Sequence, residues 1–502
     1  MNSLTIIYSK RRFPPPPYDA EVEDMLYFRL LYDGDHDLIF PRARSVQTTE
    51  RIIRRSRPGF FRRGQKAEFK VSTEHQYVVV NFASLVAEVP ADLINRSLGN
   101  VSADVETGPE LDFVSGVVSS SKPNDKIWSA VTQHQVDGLI AYRIRRDGGG
   151  KVWFEWLLGD RYFPHEDGRG ADLTWIEEWD NGQGAKDRFL RVERQELSGD
   201  DLTIQQLVYK MDSDNVGDQV DTQHYAADHG LDIPEDAELP GIGELLCGYV
   251  TNDESLLHPR GRSALRNIDT IQEEINWTIT RDSIVFEKHG KPKLAIPRGL
   301  WDTVAQSNQA NYGARFVRNA DLEVVSYNEN NGAVPLYITW DAKTKQSFEH
   351  VDRLIKYMLA VSKTSVQAAG LEDAKGDTGI ALLYLWIQSV IKAEAIKDKF
   401  DGAIKDAIRK CMILENAIGA GGLKPVNPVI EWGDMLPKAE SERDTEEVGK
   451  YTGGVQSLET TVRRMHPDWS EDAIAAEIQK IQDEKAVDTL NPTYTQPPKV
   501  TV

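Results

Sequence analysis

KGDTGIALLYLWIQSVIKAEAIKDKFDGAIKDAIRKCMIL occupies residues 375–414. Two glycines, Gly376 and Gly379, open it, and a helical pattern then holds for roughly nine turns. Thr378 is suited to cap its start. At 1.5 Å per residue such a helix spans roughly 55 Å. Gly402 lies inside it, where a glycine costs about 1 kcal/mol relative to alanine, so a bend or close packing is expected there. GAGGLKP, residues 419–425, ends it. Before it runs VSKTSVQAAGLEDAKGDTG (361–379), rich in small residues and read as a flexible loop.

Working outward, residues 341–361 carry an apolar stripe of Phe348, Val351, Ile355 and Met358 and read as a helix. Residues 262–288 carry another, Leu265, Ile268, Ile271, Ile275 and Ile279, stopped by Gly290 and Pro292. Between them LAIP (294–297) and LEVVSY (322–327) read as strands. From about 125 to 250 the period changes to two. KVWFEWLL follows LIAYRIRRD across Gly148–Gly150, and Asn181-Gly182 predicts a hairpin between LTWIEEWD and FLRVERQEL. Near the N-terminus residues 19–33 read as a helix ended by Gly34-Asp35. Residues 74–97 read as a strand (Tyr77–Phe82) and a helix ending near Pro90. The tail beyond 437 reads as an acidic helix, two shorter helical patterns and a proline-bearing end. The fold class expected is α+β.

The 502 residues allow about three domains. With 40% hydrophobic and 27% charged residues a large core is possible, and no apolar run is long enough for a membrane span. The N-terminal apolar run is too short for a signal peptide. Cys247 and Cys411 have neither metal nor disulfide spacing and read as reduced core thiols. The net charge of −20 repels nucleic acid over the surface as a whole. One basic block stands apart: Arg42, Arg44, Arg51, Arg54, Arg55, Arg57, Arg62, Arg63 and Lys66, a solvated face or a partner-binding arm.

Catalytic chemistry is not legible. Gly150-Lys151 has Arg145 where a phosphate loop needs its first glycine, and Gly290-Lys291 has Val285 there. No nucleophile elbow or zinc-protease motif occurs. His165, Glu166 and Asp167 are adjacent but read as a turn rather than a metal site. The expectation is no catalytic residue, no metal and no cofactor.

Several stretches are familiar together. They are LLYDGDHDLIF (30–40), NFASLVAEVPADLI (81–94), GDRYFPHEDGRGADLTWIEEW (159–179), KGDTGIALLY (375–384) and the acidic tail from WGDMLPKAESERDTEEV to DEK (432–485). In this order they resemble the portal proteins of tailed bacteriophages, of the siphophage type. The likeness runs over nearly the whole chain and is weakest in 98–135 and 195–260. It implies a portal fold: wing (1–261), stem helices (262–288 and 341–361) around a clip (289–340), tunnel loop (362–377), long wing helix (378–414) and crown with tail (415–502). It implies a ring homo-oligomer, commonly of 12 subunits, at one capsid vertex of the virion, assembled in the host cytoplasm. Double-stranded DNA would pass through it during packaging and ejection.

The partners implied are the terminase large subunit, the head–tail adaptor, and the major capsid and scaffolding proteins, with no membrane. Residues implied for the channel are Ser362, Lys363, Thr364, Gln367, Glu372, Asp373, Lys375 and Asp377. Lys293, Arg298, Arg315 and Arg318 are implied for adaptor and terminase docking. Leu265, Ile268, Ile275, Ile279, Val351 and Ile355 are implied for contact between stem subunits. The alternatives are another phage structural ring or minor capsid protein, and, further off, a packaging enzyme.

Overall fold

The computed structural model describes residues 12–46, 53–55, 67–69, 77–180, 186–289, 293–297, 323–327, 336–338, 344–371, 379–419, 421–436, 440–466, 469 and 471–490. The chain is a mixture of helix and sheet in two units. The first is Met1–Glu372 with Ile387–Gly433, and the second is Asp373–Trp386 with Asp434–Val502.

The first unit opens with helix α1 (Tyr18–Asp33), which buries Val22, Met25, Phe28 and Leu31 at steps of three and four. Gly34 ends it in the left-handed region, φ 79°, and its N–H bonds the Leu30 carbonyl. Short helices α2 (His36–Ile39) and α3 (Pro41–Val46) follow. Strand β1 (Ile53–Arg55), inside the basic block, pairs antiparallel with β2 (Ala67–Phe69), just after it. Helix α4 (Ala83–Ser97) runs straight through Pro90, where the sequence predicts its end. Proline has no N–H, so the Val86 carbonyl four residues back loses its helical donor. The Lys392 Nζ donates to that carbonyl at 2.9 Å and restores the bond from outside.

Strand β3 (Leu98–Ala103) and helices α5 (Pro109–Ser121) and α6 (Pro123–Asp137) lead into two sheets. In the first, β4 (Leu139–Arg146) and β5 (Val152–Leu158) form the hairpin read from the sequence, with Arg146 opposite Val152. In the second, β6 (Tyr162–Pro164), β7 (Gly170–Asp180), β8 (Lys186–Ser198), β9 (Asp201–Asp212) and β10 (Asn215–Val220) are adjacent in chain order. Asp180 pairs with Lys186, so five residues separate the strand ends, not the two of an Asn-Gly turn; residues 181–185 lie outside the described residues. Helix α7 (Thr222–His229) is capped by Asp221, which accepts from the His224 N–H. Strand β11 (Ala237–Leu239) adds to β9, and β12 (Cys247–Thr251) adds to β4.

Helix α8 (Asp269–His289) begins seven residues after the expected start at 262. Strands β13 (Lys293–Pro297), β14 (Glu323–Tyr327) and β15 (Leu336–Ile338) make a small sheet, β13 central, parallel to β14 and antiparallel to β15. Helices α9 (Thr344–Val361) and α10 (Gly379–Ile418) follow. Strand β16 (Pro428–Trp432) closes the unit by pairing with β3. Helix α10 runs four residues past the expected end at Leu414. A Cβ on Gly402 would meet open space, so the close packing expected there is absent. Gly402→Ala should therefore stabilise the chain by about 1 kcal/mol, read as a raised urea midpoint at unchanged slope.

The stripes on α8 and α9 turn inward. Leu265, Ile268, Ile275, Val351 and Met358 are buried with Phe28, Leu31, Phe40, Ala83, Val86 and Val136, and Ile271, Ile279 and Ile355 pack at the edge. Of the residues expected between subunits, Leu265, Ile268, Ile275 and Val351 are buried within the single chain, and Ile279 and Ile355 are half-buried against them. Phe348, the first residue of the α9 stripe, stays 54% exposed and stacks on the exposed Phe286 of α8.

Residues 77–82, expected as a strand, pair with a helix instead. Gln272, Asn276 and Thr280 stand four apart on α8, so they share one side. Thr280 Oγ1 accepts from the Val78 N–H at 2.9 Å and Asn276 Oδ1 from the Val80 N–H at 3.1 Å. Gln272 donates to the Val80 carbonyl at 2.7 Å and accepts from the Ala83 N–H at 2.9 Å. These side chains do the work of a neighbouring strand, which is why the extended pattern is real and the sheet is not.

The second unit holds helices α11 (Glu440–Thr452), α12 (Leu458–Met465) and α13 (Glu471–Leu490). Ser457 caps α12, its Oγ accepting from the Thr460 N–H at 3.2 Å. The buried Glu447 accepts from Lys450 within α11 at 2.9 Å and from Gln456 of the following turn at 2.6 Å, which ties the helix to that turn.

Candidate functional site

The segment from the end of α9 to residue 371 is where the sequence places a flexible loop. The structure places a folded elbow. Helix α9 closes with the Thr364 N–H on the Leu359 carbonyl at 2.9 Å and the Lys363 N–H on Ala360 at 3.2 Å. Lys363 takes the left-handed conformation, φ 55°, a position usually held by glycine. One further helical turn follows, with the Ala369 N–H on Ser365 O at 3.1 Å. It ends the same way, with Leu371 N–H on Val366 O at 3.2 Å and Gly370 at φ 71°.

Hydroxyls fasten this elbow to α10. Thr364 and Ser365 are buried. The Ser365 N–H donates to Ser389 Oγ at 2.8 Å, and the two hydroxyls lie 3.2 Å apart. Ser362 Oγ returns to the Leu359 carbonyl at 3.1 Å. Of the residues assigned to the channel, Ser362, Lys363, Thr364 and Gln367 therefore sit on an ordered turn. Glu372, Asp373, Lys375 and Asp377 lie outside the described residues. Small residues read as flexible because they lack bulk to pack, but Ser and Thr also supply the bonds that tie a turn down.

Three residues from Ser389 along α10 stands Lys392, which the sequence reading passed over. Its amine is bonded to Val86 O at 2.9 Å. Burial, with the like charge of Lys363 nearby, lowers it to about 7. The unfolded value is near 10.4, so the unfolded chain binds more protons between pH 7 and 10 and this group makes stability rise with pH across that window. Lys392→Met should flatten the rise in Tm between pH 7 and 9.5 relative to the parent; parallel profiles would show an ordinary solvated amine. The signal for this residue was Pro90, whose missing N–H leaves a carbonyl that some donor must reach.

The other assignments fall elsewhere. Lys293 is the first residue of β13, and Arg298, Arg315 and Arg318 lie outside the described residues. Arg42 of the basic block pairs with Glu274 of α8, and Arg44 donates to the Leu38 carbonyl at 2.6 Å. His165, Glu166 and Asp167 form the expected turn, with the Gly168 N–H on His165 O at 3.0 Å. The buried His165 ring lies 3.3 Å from Asp172, which Arg194 holds at 2.8 Å. The Gly148–Gly150 turn is filled by its own chain. Asp147 accepts from the N–H groups of Gly149 at 3.0 Å and Lys151 at 2.8 Å, the donors a phosphate would need. Cys247 and Cys411 are buried and free, and burial pushes the Cys247 thiol up to about 12. Among the described residues no group of three or more His, Cys, Asp or Glu could hold a metal ion, and no helix is long and apolar enough to cross a membrane.

No protein-family model matches the sequence, and no curated protein matches it. Solved structures do align with the fold. A chain in the neck of an empty gene transfer agent particle, computed with C6 symmetry, aligns at TM-score 0.40 and 12% identity over 76% of this chain and 88% of that one. A chain in the virion of the native gene transfer agent particle aligns at 0.42 and 11% over 78% and 95%. A chain in the neck of the native particle, computed with C12 symmetry, aligns at 0.39 and 11% over 76% and 88%.

Proposed function

We propose that this chain is the subunit of a phage portal: a ring at one capsid vertex that conducts double-stranded DNA during packaging and ejection. The observation that carries the reading is the order of the described elements. Helix α8, a three-stranded sheet, helix α9, the elbow and the 40-residue α10 follow one another in the order stem, clip, stem, loop and long helix. The collinear motifs of the sequence support the same order.

In this reading the elbow sets where the loop leaves α9, and the segment after Gly370, with Glu372, Asp373, Lys375 and Asp377, meets the DNA. Charges of both signs there suit a conduit, because a strongly basic bore would retain DNA through counterion release. The small sheet is the docking site for the terminase large subunit and later the head–tail adaptor. The wing contacts the major capsid and scaffolding proteins. The ring acts without a cofactor and is not an enzyme.

Negative-stain microscopy of the purified chain tests this. Rings with a central hole, a wide rim and a narrow stem are expected. A compact monomer under all capsid-building conditions would sink the proposal.

A further inference from the structure

After β12 the chain makes a hydrogen-bonded excursion. Its base is a lattice: the Asn252 N–H bonds Gly138 O at 2.8 Å, the Arg262 N–H bonds Asn252 O at 2.9 Å, and Asn252 Nδ2 bonds Arg262 O at 3.0 Å. Its tip is a two-residue turn in which Ser255 and His258 exchange backbone bonds of 3.2 and 3.0 Å. The two residues at the tip are Leu256 and Leu257, 104% and 86% exposed. Turn tips favour Gly, Asn, Asp, Pro and Ser, and neither leucine takes a positive φ. Turn geometry therefore does not require leucine here, and water does not favour it. Covering each side chain would remove apolar surface from water, which is favourable.

A second uncovered surface lies on α10. Ile387 and Ile391, 39% and 58% exposed, stand four residues apart. Glu394 and Asp398 continue at three and four more, so all four share one side of the helix. Both carboxylates are exposed, and neither has an ion pair among the described residues. At the foot of the leucine turn the exposed Arg266 donates to His258 Nε2 at 2.5 Å and has no carboxylate partner among the described residues. An apolar pair beside a cation thus stands on one surface, and an apolar pair beside two anions on another.

We propose that these surfaces meet between copies of this chain. The Leu256–Leu257 turn of one copy seats on Ile387 and Ile391 of the next, with Arg266 facing Glu394 and Asp398. Because the two surfaces differ, the contact is head to tail, and each copy keeps one of each free for another neighbour. Repetition closes a ring or extends a filament. The inference rests on the ring reading and names the surfaces that would build it.

Mass photometry of the full chain is the first arm. The parent should form rings, while L256D/L257D and I387D/I391D, altered only at exposed positions, should keep the parent's far-ultraviolet circular dichroism and a cooperative unfolding transition and shift at least tenfold toward monomer. Cross-linking is the second arm and holds even if an aspartate variant misfolds. Chains with Leu256→Cys mixed with chains carrying Ile391→Cys should form disulfide-linked pairs, and neither alone should. Rings that persist in both aspartate variants, or cross-linking of the Leu256→Cys chain with itself, overturn this contact and leave the portal reading standing. A parent that is monomeric throughout overturns both.

Discussion

Ile275→Asp should abolish the folded first unit rather than release folded monomers. Ile275 is 0% exposed, among Phe28, Leu31, Val86 and Met358 of its own chain. Removing its side chain costs about 2–5 kcal/mol, and an unpaired buried carboxylate adds several more. Whole domains are stable by only about 5–15 kcal/mol. The conservative Ile275→Val should cost about 0.5–1.5 kcal/mol and keep the unfolding cooperative. Circular dichroism with urea titration separates the outcomes. An aspartate variant with native-like signal and a parent-like midpoint would mean that the stripe faces a neighbouring subunit after all.

The second large effect is at Arg29. Its guanidinium chelates Asp137 at 2.8 and 2.6 Å and Asp160 at 3.0 and 2.9 Å. Both carboxylates are buried, and one cation serves the two. Arg29→Ala strands two buried charges, and breaking such a pair costs about 3–5 kcal/mol. The pH dependence has a definite sign. Burial already raises the Asp137 carboxyl with Arg29 present, and without the guanidinium it should rise further. A carboxyl whose folded value lies above its unfolded value of ~3.9 binds more protons when folded. Its stability contribution is then lost as pH rises through the folded value and regained as pH falls. The deficit of Arg29→Ala should therefore be smaller at pH 5 than at pH 8. Asp137→Asn with Asp160→Asn in the same background should recover part of it at pH 8. A deficit independent of pH would show that the arginine stem, not its charge, holds the site.

Both expectations depend on contacts that connect distant parts of the chain, and this is where reading the sequence stopped. The periodicities of α1, α8, α9 and α10 were legible, as were the β4–β5 hairpin and the order of elements. Each is written within a few turns of chain. In the candidate site, the length of α10 and the position of the loop before it were legible too. The ordered elbow was not, because Ser365 meets Ser389 across 24 residues and a run of small polar residues looks the same whether or not its hydroxyls find partners. The path of α4 through Pro90 was not legible either, since the donor that rescues it lies 306 residues away at Lys392.

By itself the sequence determined which segments coil, which extend and in what order, because side-chain spacing selects a local backbone period. The tertiary structure decided what each face meets. It buried Leu265, Ile268, Ile275, Val351 and Met358 within one chain, gave residues 77–82 a helix for a partner, and left Leu256, Leu257, Ile387 and Ile391 in water. A stripe records that a helix has an apolar side; only the packing of remote segments determines whether that side is covered from within the chain or left for another copy.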